Sequence, residues 1–316
     1  MRPINEYPPF TTKVLSERTL HIFGVGFEER CLGYARYLAN ANLKAHEHVF
    51  LCVVPPDDKV SGYLRSQRAS HLKEIRTILP AARTGTIDEI DAQIDDATLL
   101  ENICLDISTL PRLFIFRLLR KLLEKGHNTV PIYIIYTYPR EYAYGALEEP
   151  ATDVECVFTE APRLTKGRIA AVFLPGFDRA CTDIALTYIR AATGPDSVIK
   201  WHFPFPGRVY AFYERALESH IDLVKDSTYY IYPQHEIALA FRRFTSDIQS
   251  LRQTPVFFVP LGPRVTCVSI LLTVSRARAE GIAANIVVPH MRNYTSVRSE
   301  GAQIPLIEQI PYPKLD

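Results

Sequence analysis

The sequence lacks paired-cysteine motifs and long apolar runs. It contains no Cys-x-x-Cys and no Cys/His spacing typical of a metal site, so we interpret the scattered cysteines as reduced, buried residues and predict no metal site. No apolar run reaches the ~18–20 residues that span a bilayer, and residues 1–9 contain no apolar signal core. These absences predict a cytoplasmic protein with no membrane partner. The six cysteines are Cys31, Cys52, Cys104, Cys156, Cys181 and Cys267.

An excess of one charge is also missing. The chain of 316 residues carries 36 Lys and Arg against 35 Asp and Glu, which gives a net charge of +1. General polyanion binders usually carry a marked basic excess, so the composition argues against that class but allows a local basic face. A hydrophobic content of 47% is ordinary for a soluble globular protein, and the length allows one large or two modest domains.

The chain does contain a repeated module, in which an apolar strand is followed by a glycine turn and the start of a helix. The three glycines of this module are Gly26, Gly176 and Gly262. When they are superposed, Glu28 of the first copy aligns with Asp178 of the second. The cysteines that follow also align, namely Cys31, Cys181 and Cys267.

Strand-like and helix-like segments alternate along the chain. In the first half, residues 49–54, 103–108 and 131–136 are predicted strands, and residues 63–79 and 111–123 are predicted helices. This alternation predicts an α/β protein made of two tandem Rossmann-like units, with mainly parallel sheets flanked by helices. A segment rich in Pro, Gly and Glu at 145–167 interrupts the pattern, so we expect an N-terminal Rossmann-like domain over residues 1–160 and a C-terminal one over 161–316.

Ligands of open α/β sheets bind outside the carboxyl ends of the strands, which directs attention to the residues there. Glu28 is a candidate general base or acceptor for a ribose or base; alternatively, it complements the start of a helix. Asp106 is a candidate general base and Arg112 an anion clamp; the alternative is an aspartate bonded to backbone amides at a capped helix. Arg140 and Tyr142 offer cation–π and stacking surfaces for a base.

The three glycine turns differ in charge. Acids follow Gly26 and Gly176, and they disfavour a phosphate at those two turns, although the nearby amides remain candidate ligand contacts. Gly262 is followed by Pro263 and Arg264 instead. Guanidinium can hold phosphate with two hydrogen bonds, so Arg264 is the best phosphate candidate. Its alternative role is a surface arginine paired with a carboxylate.

The turn from Pro260 to Arg264, which leads into a long apolar helix, is similar to the ligand turns of CARF-like (CRISPR-associated Rossmann-fold) nucleotide sensors of prokaryotic defence systems. The order of strands and helices also resembles those proteins. The resemblance implies a nucleotide-sensing component of an antiviral defence system. Sensors of that family are usually fused to an effector module, and this sequence carries no nuclease signature.

Three functions follow as hypotheses. The first is a cytoplasmic protein that recognises a nucleotide or a nucleotide-derived small molecule, which would be its only expected cofactor. The second is an enzyme that cleaves a glycosidic or phosphate bond of a nucleotide, with Glu28 or Asp106 as general base. The third is a structural subunit of a larger assembly or homo-oligomer, which would contact protein or nucleic acid through basic helices at residues 65–76 and 112–125.

Overall fold

The computed structural model describes most of the chain. The described residues are 1–7, 10–41, 43, 47–56, 60–96, 100–124, 130–142, 151–158, 169–176, 178–193, 197–204, 210–225, 227, 229–232, 236–251, 254–291 and 299–310. Their strands are β1 (Arg2–Pro3), β2 (Thr19–Gly24), β3 (His48–Val53), β4 (Arg83–Gly85), β5 (Asn102–Asp106), β6 (Ile132–Tyr136), β7 (Glu141–Tyr142), β8 (Ala151–Cys156), β9 (Ala170–Leu174), β10 (Val198–Pro204), β11 (Tyr229–Tyr232), β12 (Val256–Pro260), β13 (Ala284–Met291), β14 (Ser299–Glu300) and β15 (Leu306–Gln309).

The helices lie between these strands. They are α1 (Gly33–Asn40), α2 (Gly62–Ile78), α3 (Ile87–Asp96), α4 (Arg112–Glu124), α5 (Arg179–Thr193), α6 (Tyr210–Glu218), α7 (Ile221–Val224), α8 (Ile237–Ser250) and α9 (Val265–Ala279). Short 3-10 helices occur at Ile4–Glu6 and Glu29–Leu32, and a π-helix occurs at Phe10–Val14. Within the described residues, no helix combines the length and the apolar character that a membrane crossing requires.

The first compact unit comprises Met1–Gly145 and Asn293–Tyr312. Its large sheet has the order β1-β15-β6-β5-β2-β3-β4. The strands from β6 to β4 are parallel, and β15 is antiparallel to both β6 and β1. The chain builds the sheet outward from β2, first through β3 and β4, then on the other side through β5 and β6. The strand order therefore reverses between β2 and β5.

The second unit comprises Ala146–Arg292 and Pro313–Asp316. Its sheet has the order β11-β10-β9-β12-β13-β8, parallel except for β8, which is antiparallel to β13. This chain path repeats that of the first unit, with β9 and β12 in the places of β2 and β5. The prediction of an α/β protein with two mainly parallel sheets flanked by helices is confirmed.

The central strands of both sheets are buried on both faces, so their sequences are continuous apolar runs rather than alternating apolar and polar residues. Every residue of β2, β5, β6, β9 and β12 is buried. Each unit has its own core, built around Phe10, Phe23 and Tyr34 in the first unit and around Phe173, Trp201 and Phe203 in the second.

Two strands cross the division that the sequence indicated near residue 160. β8 lies before that point and pairs with β13 of the second sheet, whereas β15 lies far beyond it and pairs with β6 of the first. Both are antiparallel strands that lie next to the fifth parallel strand of their sheets. Each unit therefore includes a segment from the other side of residue 160.

The shared chain path also changes how the three glycine turns correspond. Gly26 and Gly176 follow β2 and β9, the first parallel strands of their units, whereas Gly262 follows β12. The counterpart of β12 in the first unit is β5, which ends at Asp106. The turn at Gly262 is therefore equivalent in topology to the segment between Asp106 and Arg112, not to Gly26.

Candidate functional site

At the carboxyl edge of the first sheet, the turns after β2 and β5 touch each other. A Cβ atom on Gly26 would lie 2.6 Å from Thr109 Cβ, and one on Gly24 would lie 2.7 Å from Leu110 Cδ2. Thr109 Oγ1 donates a hydrogen bond to the Gly24 carbonyl at 2.9 Å, and His71 Nδ1 donates to the Gly26 carbonyl at 3.0 Å. The two glycines therefore allow close packing of the turns, so any ligand must lie outside this contact.

Glu28 forms a buried ion pair rather than a helix cap. Its Oε2 accepts from Arg30 Nε at 2.7 Å and lies 2.5 Å from Arg30 Nη2. Arg30 Nη1 also donates to the Tyr136 hydroxyl at 3.2 Å, which connects the turn after β2 to the end of β6. The Glu28 side chain makes no cap hydrogen bond with the 3-10 helix Glu29–Leu32. The 3-10 helix starts at Glu29, three residues after Gly26, and continues directly into α1, which begins at Gly33.

Asp106 belongs to a second buried polar group at the same edge. Its Oδ1 accepts from the Ser108 amide at 2.9 Å and from the Ser108 hydroxyl, and Ser108 Oγ in turn accepts from the Thr137 amide at 2.7 Å. Burial raises the pKa of Asp106 to about 7, against the opposing effects of the Ser108 hydrogen bonds and the Arg30 charge. This carboxyl can therefore take up or release a proton near neutral pH.

An arginine stands at the start of the helix that follows the fourth parallel strand of each unit. Arg112 is the first residue of α4, and Arg264 immediately precedes α9. Both side chains are half-buried, and neither helix has an acidic residue in its first turn. The positive end of a helix dipole attracts anions and is not favourable for a cation. Both arginines thus add positive charge where an anion is already favoured.

In the second unit, the turns after β9 and β12 pack even more closely. A Cβ on Gly176 would lie 2.3 Å from the Leu261 carbonyl oxygen. The amides of Leu261 and Gly262 both donate to the Leu174 carbonyl, at 3.0 and 2.7 Å. The Tyr232 hydroxyl lies 3.4 Å from a Cβ built on Gly262, so the end of β11 also reaches this turn.

Asp178 caps a helix. Asp178 directly precedes α5, and its Oδ1 accepts a hydrogen bond from the amide of Cys181, in the first turn of that helix, at 3.3 Å. Asp178 therefore stabilises the start of a helix, as acids at that position often do. Glu28, with which it aligns in sequence, pairs with Arg30 instead. Asp178 is buried, as Glu28 is.

Tyr142 belongs to a small two-stranded sheet of the first unit, and Arg140 directly precedes the first strand of that sheet. The Arg140 amide donates to the Glu300 carbonyl at 3.0 Å, and Arg140 Nε donates to the Ala302 carbonyl at 3.1 Å. Tyr142 pairs with Ser299 in the β7–β14 ladder. The Arg140 guanidinium thus holds the chain segment that returns after β14.

Some of the basic side chains on the two predicted basic helices are buried or paired with acids. On α2, Arg68 and His71 are buried together with Leu64 and Ile75. On α4, Arg117 pairs with Asp88 and Asp91 of α3 at 2.5 and 2.6 Å. The acidic helix α3 therefore neutralises part of the stripe that was a candidate nucleic-acid face.

Sequence reasoning missed the polar partners that complete the first-unit edge. Arg30 lay within the candidate turn but was given no role, and His71 was not proposed as a site residue, yet they bind Glu28 and the Gly26 carbonyl. A signal for His71 exists, because Leu64, Arg68, His71 and Ile75 recur at helical spacing on one face. No local signal links Arg30 to Tyr136, which lies 106 residues further along the chain.

Cys31, which follows the turn at Gly26, is buried. Burial raises the pKa of Cys31 to about 12, so its thiol is not an activated nucleophile. In the described parts of the chain, His, Cys, Asp and Glu side chains form no group that could hold a metal ion.

Comparisons with known proteins give no family for this chain. A scan of protein-family models and a search of curated proteins each found no match. The solved structures that match include a universal stress protein from Archaeoglobus fulgidus DSM 4304, which is 14% identical, with 88% of this chain and 98% of that chain covered and a TM-score of 0.24. A similarity of this extent carries no argument about function.

Proposed function

We propose that the protein recognises a nucleotide or a nucleotide-derived small molecule at the carboxyl edge of its sheets. The observation that carries the proposal is the repeated arginine, Arg112 in one unit and Arg264 in the other, beside the point where the strand order reverses. Helix starts of this kind favour phosphate, and guanidinium can bind it with two hydrogen bonds. Open α/β sheets hold ligands in the crevice at the same position.

The rest of a nucleotide offers hydroxyl and ring groups, and the edges contain matching polar groups. In the second unit, the Tyr232 hydroxyl lies beside Gly262, two residues before Arg264. In the first unit, Asp106 ends β5, the strand before α4, and Glu28 lies in the turn after β2, the neighbour of β5 in the sheet. Carboxylates and hydroxyls of this kind accept or donate hydrogen bonds to a ribose.

A thermal-shift screen with mono-, di- and cyclic nucleotides tests the proposal. We expect at least one nucleotide to raise the melting temperature, and we expect Arg112→Ala or Arg264→Ala to abolish that shift. The matched controls are Arg120→Ala on α4 and Arg276→Ala on α9. Each of these arginines forms an exposed ion pair with the glutamate four residues later. The controls should keep the shift.

Two outcomes contradict nucleotide recognition. One is the absence of a shift with every nucleotide tested. The other is a shift that both arginine variants retain in full, which would move the site away from the helix starts. Circular dichroism of each unliganded variant separates loss of binding from loss of folding.

Asp106 favours a second candidate function, cleavage of a glycosidic or phosphate bond of a nucleotide. A carboxyl with a pKa of about 7 is suited to general acid–base catalysis at neutral pH, and Arg112 would steady the anion. Chromatography of nucleotides incubated with the protein would detect the products. Product formation that Asp106→Asn leaves unchanged would exclude Asp106 as the catalytic group.

The role in a defence system rests on the resemblance of the Pro260–Arg264 turn to CARF-like sensors. We propose it as the biological setting of nucleotide recognition. The genes next to this one provide the test: effector genes of a defence system beside it would support the proposal, and their absence would contradict it.

A further inference from the structure

The edges of the two large sheets are protected to different degrees. Exposed edge strands attract other strands, and proteins usually protect them with short length, charge or proline. In the first sheet, β1 has two residues, Arg2 and Pro3, and β4 has three and begins with exposed Arg83. In the second sheet, β8 carries exposed Asp153 and Glu155. The remaining edge, β11, is four residues long, has the sequence Tyr-Tyr-Ile-Tyr and carries neither a charge nor a proline.

One face of β11 is apolar and exposed. Tyr229 and Ile231 are 43% and 48% exposed. The register pairs Tyr229 with Trp201 of β10, so these side chains lie on the sheet face that carries the core around Trp201 and Phe203. Tyr229 also contacts Phe203 edge to face at 5.9 Å. This core therefore reaches the edge of the sheet without being fully covered there.

The opposite face of the β11 edge is positively charged. Tyr230 pairs in register with His202, and the Arg243 guanidinium lies over its ring at 4.3 Å. Lys200 lies over the same ring at 5.9 Å. Lys200 and Arg243 share one carboxylate, Asp247, at 3.1 and 3.8 Å. Two cations against one anion leave this face with positive charge.

The β8 edge has the complementary pattern. Val154 and Cys156 pack against the core around Trp201 and Phe203, so they share the face of Tyr229 and Ile231. Because side chains alternate along a strand, Asp153 and Glu155 lie on the other face, the face of Lys200 and Arg243. Glu155 also pairs with His290 at 3.0 Å, and its side chain is still 59% exposed.

We propose that the β11 edge of one copy of the chain binds the β8 edge of a second copy and so continues the second sheet across the interface. β8 is antiparallel to the other strands of its sheet, so it would meet β11 as an antiparallel neighbour when the second sheet has the same orientation. Apolar side chains then meet on one face, and acidic groups meet Lys200 and Arg243 on the other.

This interface is heterologous, because the two copies contribute different surfaces. Each added copy leaves a free β8 at one end and a free β11 at the other, so association is open-ended or closes into a ring. The contact between strands of four and six residues is small compared with a stable dimer interface. Association is therefore expected to be reversible and to depend on concentration.

Sedimentation velocity of the full chain over a hundredfold concentration range tests this proposal. We expect the weight-average mass to rise with concentration, and less so in high salt. Ile231→Lys places a charge on the β11 edge, and Asp153→Arg reverses a charge on the β8 edge. Each variant alone should weaken self-association at least tenfold. Ile304→Lys, at a first-unit residue that is 57% exposed, is the matched control and should associate as the wild type does.

Mixing the two variants identifies the interface. The Ile231→Lys chain keeps an intact β8 and the Asp153→Arg chain keeps an intact β11, so an equal mixture should form a complex of one copy of each with near wild-type affinity. A monomer at every concentration overturns the proposal. Full self-association of Asp153→Arg overturns it too, because the charged β8 edge would then not be needed for the contact.

Discussion

Replacing Asp106 by Asn isolates the cost of ionising a buried carboxyl. The amide still accepts the hydrogen bonds of Ser108 but cannot lose a proton. Burial raises the pKa of Asp106 to about 7 in the folded protein, whereas an aspartate in an unfolded chain has a pKa of about 4. Between these values the unfolded chain is deprotonated and the folded protein keeps its proton. The free energy of unfolding of the wild type therefore falls as the pH rises through this window.

The size of the effect follows from the two pKa values. One pKa unit corresponds to about 1.4 kcal/mol. Ionisation at Asp106 therefore costs the wild type about 1.4 kcal/mol of stability at pH 5 and about 4 kcal/mol at pH 8. Asp106→Asn avoids this cost, so its stability relative to the wild type should rise by about 2–3 kcal/mol between pH 5 and pH 8.

The assay must report the first unit specifically. Trp201, the single tryptophan, belongs to the second unit, so its fluorescence during urea denaturation is the internal control. Hydrogen exchange of the β2 and β5 amides follows the first unit. Burial also lowers the pKa of His21 in the folded protein. Below about pH 6.5 the histidine of the unfolded chain takes up a proton that the folded protein does not, which destabilises both proteins equally. The His21 effect therefore cancels in the difference between wild type and variant. A difference that stays constant from pH 5 to pH 8 would refute the reasoning.

Two further predictions compare neighbouring or similar residues. Glu28→Gln should destabilise the first unit by about 3 kcal/mol, because it leaves the buried Arg30 charge without its carboxylate. Glu29→Gln, which removes an exposed partner of Arg36, should cost less than about 1 kcal/mol; equal losses in urea denaturation would contradict this. Gly176→Ala should destabilise the second unit by about 1–3 kcal/mol, because the new Cβ would meet the Leu261 carbonyl. Gly62→Ala, at the start of α2 with open space around it, should leave stability unchanged or raise it by up to about 1 kcal/mol in the same assay.

Local sequence patterns correctly indicated many individual elements. The apolar runs at 49–54, 103–108 and 131–136 correspond to β3, β5 and β6, and the predicted helices at 63–79 and 111–123 correspond to α2 and α4. Buried parallel strands need continuous apolar side chains, and helices on a sheet need apolar residues at helical spacing. Both requirements are local, so they are visible in one sequence.

The same local view misjudged charged side chains whose partners are distant in the chain. Arg68 and His71 looked like part of a basic surface, although they lie on the buried face of α2. Glu28 and Asp178 aligned in sequence, yet one pairs with Arg30 and the other caps α5. A charge is assigned to a surface or to a buried pair only when the surrounding elements are in place.

The sequence by itself determined the α/β class, the repeated strand–glycine–helix module and the candidate polar residues at the strand ends. Tertiary structure decided the strand order and the pairing of β8 and β15 with sheets on the other side of residue 160. It also showed that the turn at Gly262 corresponds to the segment before Arg112 and not to the turn at Gly26. Strand pairing joins residues more than a hundred positions apart, as Val287 with Cys156 or Leu306 with Tyr136. Such pairing depends on which edges remain open once each core has formed, and no local pattern records it.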